Sequence, residues 1–261
     1  MSTYVLVHGA YQGGWIWNPV AERLRAQGHL VFAPTLDGCA ERKHQVRPGI
    51  TVATRLRAAG HTVLAPTLDG CGERAAEVRR GITVSTHGRE IAKLLFYEDL
   101  HDVILVGTSS GGMVVCRAAE QARDRLARLV FVDALALLPG EEVGRIVKRA
   151  AANDTNDVTT GPTRADAEQR LFADLDPATR AWALARYTPH PVAALEAPME
   201  LDGFWNHRWA ATVIRCTKAA NPPEAHQRRT AEKLGAPYHE MQTGHYPMLS
   251  QPEELTRLLL A

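Results

Sequence analysis

The chain has 261 residues, 45% of them hydrophobic and 23% charged, enough apolar material for one sizeable core. Thirty basic residues against 29 acidic ones leave a formal net charge of +1, so no broad field draws the chain to nucleic acid or to an anionic membrane. No apolar run is long enough to span a bilayer. Cys39, Cys71, Cys116 and Cys216 form no CxxC pair, the histidines are scattered, and no GxGxxG or P-loop is present, so neither a metal nor a nucleotide cofactor is expected.

The first predicted strand is Tyr4–Val7. It begins almost at once, which leaves no signal peptide and predicts a cytoplasmic protein. The loop after it reads His8-Gly9-Ala10-Tyr11-Gln12-Gly13-Gly14-Trp15. A glycine-rich loop here is either a tight structural turn or a device that presents a backbone amide, that of Ala10, to an oxyanion.

Residues 23–54 and 55–86 match at a constant offset of 32, with 23 of the 32 aligned pairs identical. Ala33-Pro34-Thr35-Leu36-Asp37-Gly38-Cys39 recurs as Ala65-Pro66-Thr67-Leu68-Asp69-Gly70-Cys71. Two copies are too few for a solenoid, so this is a tandem duplication inside one domain. Each copy offers one strand, Leu30–Phe32 or Thr62–Leu64, and a long loop. Only one strand can fill a given place in a sheet. The other copy is a surface insertion, a reshaped pocket entrance, or an element swapped in a homodimer. Asp37 and Asp69, equivalent in the two copies, are turn residues or line that entrance.

Beyond the repeat, Glu90–Leu95 has amphipathic helical spacing and Val103–Val106 reads as a buried strand. Gly107-Thr108-Ser109-Ser110-Gly111 follows, and then a helical run from Gly112. A strand, G-x-S-x-G and a helix is the context of a nucleophile elbow, which lifts Ser109 above the sheet and turns the Ser110 amide toward a developing oxyanion. Leu129–Val132 is the next strand and ends at Asp133. The interval 139–206 differs in character, with helical pieces at 164–175 and 178–187 and concentrated aromatics. It reads as a helical cap whose aromatics line a pocket or form the cap's own core. Strands at Thr212–Arg215 and Tyr238–Met241 and helices at Glu224–Leu234 and Glu253–Leu260 complete the chain. Alternating strands and helices predict an α/β fold with a mostly parallel sheet and a site at the strand carboxyl ends. The core spans 1–138 and 207–261.

A serine nucleophile requires a base, and His245 in Gly244-His245-Tyr246-Pro247 lies in the loop between the last strand and the last helix, late in the chain after the serine. Taken together, Val5-Leu6-Val7-His8-Gly9-Ala10, Gly28-His29, Ala33-Pro34, the elbow, and Gly244-His245-Tyr246-Pro247-Met248-Leu249 resemble the α/β-hydrolase fold. The resemblance is closest to the EstC-like esterases and the plant methylesterase/hydroxynitrile lyase branch. It implies hydrolysis of an ester, thioester or lactone through an acyl-enzyme, with Ser109 as nucleophile and His245 as base, beside the Ala10 and Ser110 amides as oxyanion donors; the aromatic composition of the cap points to a small, apolar or aromatic acyl substrate. Tyr11, Trp182, Trp205 and Tyr246 are the expected substrate contacts. The lyases of that branch carry a threonine and a lysine where this chain has Ala10 and Tyr246, which disfavours their chemistry.

One departure stands out. The branch places its triad aspartate after the strand that ends near Cys216, and Ala219 occupies that place here. Asp133 is the best substitute, as a triad acid or as a carboxylate that caps nearby amides; Glu224 serves as an acid or as an ordinary helix N-terminal charge. Three readings of function stay open: a serine hydrolase, a lyase, epimerase or cyclase in which His245 works alone, and a ligand-binding protein on the same fold.

Overall fold

The computed structural model describes residues 3–13, 16, 55–56, 59–148 and 153–261. The first copy of the duplication, with its strand Leu30–Phe32 and Asp37, lies outside the described residues. Nine strands are described: β1 (Thr3–Val7), β2 (Thr62–Leu64), β3 (Val103–Ser109), β4 (Leu126–Ala134), β5 (Asn153–Thr155), β6 (Thr159–Pro162), β7 (His190–Pro191), β8 (Ala211–Cys216) and β9 (Tyr238–Met241). Six of them form one sheet in the order β2-β1-β3-β4-β8-β9, and all neighbours pair in parallel. The longer helices are α1 (Val84–Tyr97), α2 (Gly111–Gln121), α3 (Pro177–Leu184), α4 (Glu224–Leu234) and α5 (Pro252–Leu260). No helix among the described residues is long and apolar enough to cross a membrane.

The apolar runs of the sequence become strands because both sheet faces are covered. Alternate residues divide between two cores. Val5, Leu105, Phe131 and Val213 pack with Ile91 and Leu95 of α1 and with Met113 and Val115 of α2. Their neighbours Tyr4, Ile104, Val130 and Ile214 face the other way, onto Leu255 and Leu259 of α5. The helix predicted around Glu90 begins earlier, at Val84, because Thr83 and Thr86 form a reciprocal capping box.

At the carboxyl ends of the central strands the backbone is crowded and bent. Ser109 closes β3 with φ at +53°, a region L residues seldom occupy. A Cβ on Gly9 would lie 2.6 Å from Ser109 Cβ and 3.0 Å from the Thr108 carbonyl oxygen. One on Gly111 would lie 2.6 Å from the His8 carbonyl oxygen. The loop after β1 and the elbow therefore touch only because glycines stand at the crossing. In β4 the pairing jumps from Thr108 with Val132 to Ser109 with Ala134. Asp133 is the extra residue of this bulge, with φ at +46°, and the bulge takes its side chain out of the regular alternation.

The second copy of the duplication supplies β2 beside β1. Its loop is clasped by the buried His8, whose Nδ1 lies 2.8 Å from the Gly9 carbonyl oxygen and whose Nε2 accepts the Leu68 amide at 3.1 Å. Asp69 is a structural turn residue, held by both oxygens to Arg79 at 3.0 and 2.6 Å. Segment 139–206, expected from its composition to be a helical cap, is mixed in structure. Helical turns at 164–171 and α3 flank a three-stranded antiparallel sheet, β5-β6-β7. The β5–β6 turn is made by Asn156, whose Oδ1 accepts the amides of Val158 and Thr159 at 2.8 and 2.9 Å.

Two outcomes are expected from these contacts. Gly9→Ala should lower stability by about 1–3 kcal/mol through overpacking against the Ser109 backbone, read as a fall in Tm; an unchanged Tm would disprove the crowding. Burial pushes the His8 imidazole from 6.5 down to about 3, so the folded state refuses a proton that the unfolded chain accepts. Its contribution to stability is complete above about pH 6.5 and declines as pH falls toward 3. Urea midpoints between pH 7 and 4 should drop more steeply for the natural chain than for His8→Asn, and parallel curves would count against this role.

Candidate active site

A cavity of about 400 Å³ opens above the carboxyl ends of β3 and β4. Ser109, His245, Ala10 and Ser110 lie on its surface, so four residues singled out in the sequence converge there. Ser109 is placed by the elbow at the end of β3. Ser110 sits at the N-terminus of α2, where the helix dipole favours negative charge. Gly9 brings Ala10 to the same point from β1.

His245 lies in the loop after β9, and its Nδ1 is 2.6 Å from Asp133 Oδ2. The Asp133 side chain is fully buried, and that of His245 is 16% exposed. The other carboxylate oxygen, Oδ1, accepts the Cys216 amide at 3.0 Å and Gln227 Nε2 at 2.8 Å. A carboxylate facing Nδ1 fixes the proton on that nitrogen and leaves Nε2 as an acceptor. The structure thus brings Asp133, read from sequence as the substitute acid, to the histidine. Glu224 is elsewhere: its exposed carboxylate binds Arg228 at 2.7 Å and Arg215 at 3.1 Å in the first turn of α4. Ala219 lines the cavity as part of the loop 218–222.

The predicted substrate contacts divide evenly. Tyr11 and Tyr246 line the cavity. Tyr246 is buried with its ring 5.0 Å from Phe172, and burial raises its phenol above the ordinary range. Trp182 and Trp205 do not line the cavity, which corrects the expectation for both. Arg186 lies 4.4 Å over the Trp182 ring. Trp205 donates its indole N–H to the Leu137 carbonyl at 3.0 Å and packs edge-on against Phe204. Their large faces complete the packing of segment 139–206, while the cavity wall is aliphatic: Leu135, Val143, Val147, Leu171 and Leu195.

Three further polar residues belong to the site and were not read from the sequence. Gln227 touches the Asp133 carboxylate. Asp174 Oδ2 accepts the Gly244 amide at 2.9 Å, which anchors the loop carrying His245. Asn221 exchanges two hydrogen bonds with the Lys148 backbone, at 3.2 and 3.0 Å, across the cavity rim. Cys116 and Cys216 are buried, and burial pushes both thiols up, as expected of small core residues. Among the described residues no group of three or more His, Cys, Asp or Glu could hold a metal ion.

This arrangement can be set beside known proteins. The profile of the alpha/beta hydrolase family matches residues 4–258. A carbendazim hydrolyzing esterase of Nocardioides sp. (strain SG-4G) is 27% identical over 272 residues, covering 100% of this chain and 99% of its own length. Among solved structures, an extracellular alpha/beta-hydrolase from a Paenibacillus species superposes with a TM-score of 0.73 at 20% identity, covering 100% of this chain and 98% of that one. A methylesterase protein from Arabidopsis gives a TM-score of 0.71 at 19% identity, with coverage of 100% and 98%. The parallel sheet, the elbow and a match that runs through β1 and most of α5 make this chain a member of the alpha/beta hydrolase family.

Proposed function

We propose that the chain is a serine esterase that cleaves small, largely apolar carboxylic esters, thioesters or lactones through an acyl-enzyme. The observation that carries this reading is the 2.6 Å contact between His245 Nδ1 and the buried Asp133 carboxylate, beside Ser109 on one cavity. The relative from Nocardioides is an esterase by name, which agrees.

In the proposed reaction, His245 Nε2 takes the Ser109 proton as Oγ bonds to the substrate carbonyl carbon. The charge that develops on the carbonyl oxygen falls to the Ala10 and Ser110 amides. The imidazolium, stabilised by Asp133, gives its proton to the departing oxygen or sulfur. The acyl group stays on Ser109 until water, deprotonated by the same histidine, releases it as the acid. A cavity of about 400 Å³ with aliphatic walls suits a small apolar acyl or alcohol part.

Ala219, in the place of the branch's aspartate, is the ground for a reading in which His245 works alone. Asp133 supplies a carboxylate to the base from another strand, which favours hydrolysis over that alternative.

A fluorophosphonate probe should add once to the intact chain, seen by mass, and not at all to Ser109→Ala. Labelling of that variant, or none of the natural chain, would refute an activated Ser109. Asp133→Asn should lower kcat on a p-nitrophenyl ester on the order of 10⁴-fold, because the amide permits the wrong tautomer of the base. Full turnover by this variant would remove Asp133 from the triad.

A further inference from the structure

Gln227 stands out among the groups around the cavity because its burial is incompletely compensated. It is 1% exposed on α4. Nε2 donates to Asp133 Oδ1 at 2.8 Å and to the Pro222 carbonyl oxygen at 3.0 Å. Both partners are acceptors, so the amide is oriented with its nitrogen toward them. Oε1 is then left buried with no hydrogen-bond partner. A leucine of similar size would fill the space without that penalty. What an amide adds here is a donor for a carboxylate that water does not reach.

The second partner matters equally. Pro222 belongs to the loop 218–222, which walls the cavity and is tied to Lys148 through Asn221. One side chain thus bridges the acid and the wall beside the substrate. With Oδ1 occupied by Gln227 and the Cys216 amide, Oδ2 is the oxygen left to face His245.

We infer that Gln227 is a positioning residue: it orients the Asp133 carboxylate with Oδ2 presented to His245, and fastens the 218–222 wall to it. This inference rests on the Ser109–His245–Asp133 reading. In this chain the acid comes from β4, one strand away from the loop that walls the cavity, and Gln227 restores the link between loop and acid.

The titratable groups that face this carboxylate are His245, the Cys216 thiol, Tyr246 and, at longer range, Asp174. None of them donates to Oδ1, so Gln227→Leu removes a donor that no titrating side chain replaces. On p-nitrophenyl butyrate, Gln227→Leu should lower kcat by about 10- to 100-fold, the effect of losing a hydrogen bond to a charged group, with KM little changed. A less stabilised carboxylate holds the proton on His245 more tightly, so the acid limb of kcat/KM should move to higher pH.

Gln227→Glu keeps the shape. Two carboxyl groups at this separation resist ionising together, so near neutral pH the Glu keeps its proton and gives its single O–H to Asp133 Oδ1, leaving the Pro222 carbonyl without its donor. It should recover part of kcat near neutral pH and lose it on a new alkaline limb, where the Glu proton is finally lost. Wild-type kcat and pH profile in Gln227→Leu would overturn the inference. If Gln227→Leu does not fold, Gln227→Glu decides: the absence of a new alkaline limb overturns it. A folded Gln227→Leu that is slower with an unshifted profile also overturns it, because a packing role alone would act that way. Failure of the underlying reading shows separately, as full activity of Asp133→Asn.

Discussion

The arrangement of the cavity floor depends on one hydrogen bond, between the buried Asp133 Oδ2 and His245 Nδ1 at 2.6 Å. An isolated carboxylate in a protein interior takes up a proton or destabilises the fold. Asp133 is not isolated: the imidazole lies against one oxygen, and the Cys216 amide and Gln227 donate to the other. The backbone serves the same end. A bulge at Asp133 releases one residue from the β3–β4 ladder, and the residue released is the one that must reach across β8 to the histidine. Strain at φ +46° is the local cost, and it occurs where a side chain has to be aimed rather than packed.

The partners of that hydrogen bond come from distant parts of the chain, and short polar ties hold them in register. Gly9 lets the β1 loop rest against Ser109. His8 secures that loop to the segment after β2. Asp174 secures the His245 loop to segment 139–206 through the Gly244 amide, and a Cβ on Gly244 would come within 2.5 Å of the Asp174 carboxyl carbon. Asn221 and Lys148 join the opposite rim. The charged groups at the mouth are exposed or neutralised, as Arg170 is by two 2.6 Å bonds to Asp166. The interior is aliphatic, so polarity is concentrated on the floor.

Much of this was legible in the chain because the strands are buried on both faces and therefore read as apolar runs. β1, β2, β3, β4 and β8 fall where such runs predict them, and the polar edge strand β9 falls where its weaker pattern places it. The elbow was legible because the close crossing at β3 admits only glycine at particular places. Other features depend on tertiary packing, which local pattern does not carry. Trp182 and Trp205 have the composition of pocket lining and serve as packing, since a large flat side chain suits either use. The hairpin β5–β6 is polar and short, and its one local signal was Asn156 with its Asx-type hydrogen bonds. Gln227 sits in an ordinary helical stretch, and only the fold places Asp133 against it.

The duplication sets two nearly equivalent strands in competition for one place. Both copies carry Ala-Pro-Thr-Leu-Asp-Gly-Cys, so strand propensity alone does not choose between them for the position beside β1. The residues C-terminal to each copy make the difference. In the second, Asp69 donates its amide to Glu90 at 2.9 Å, and its carbonyl oxygen meets His87 Nε2 at 2.9 Å. Arg74 also binds Glu90. His87 and Glu90 lie on α1, just beyond the end of the repeat at residue 86. At the same offset from the first copy stand Arg55 and Ala58, and neither side chain offers a carboxylate to an amide or a guanidinium. The second copy runs directly into the helix that completes its loop, and His8 couples that loop to the Ala10 side of the cavity.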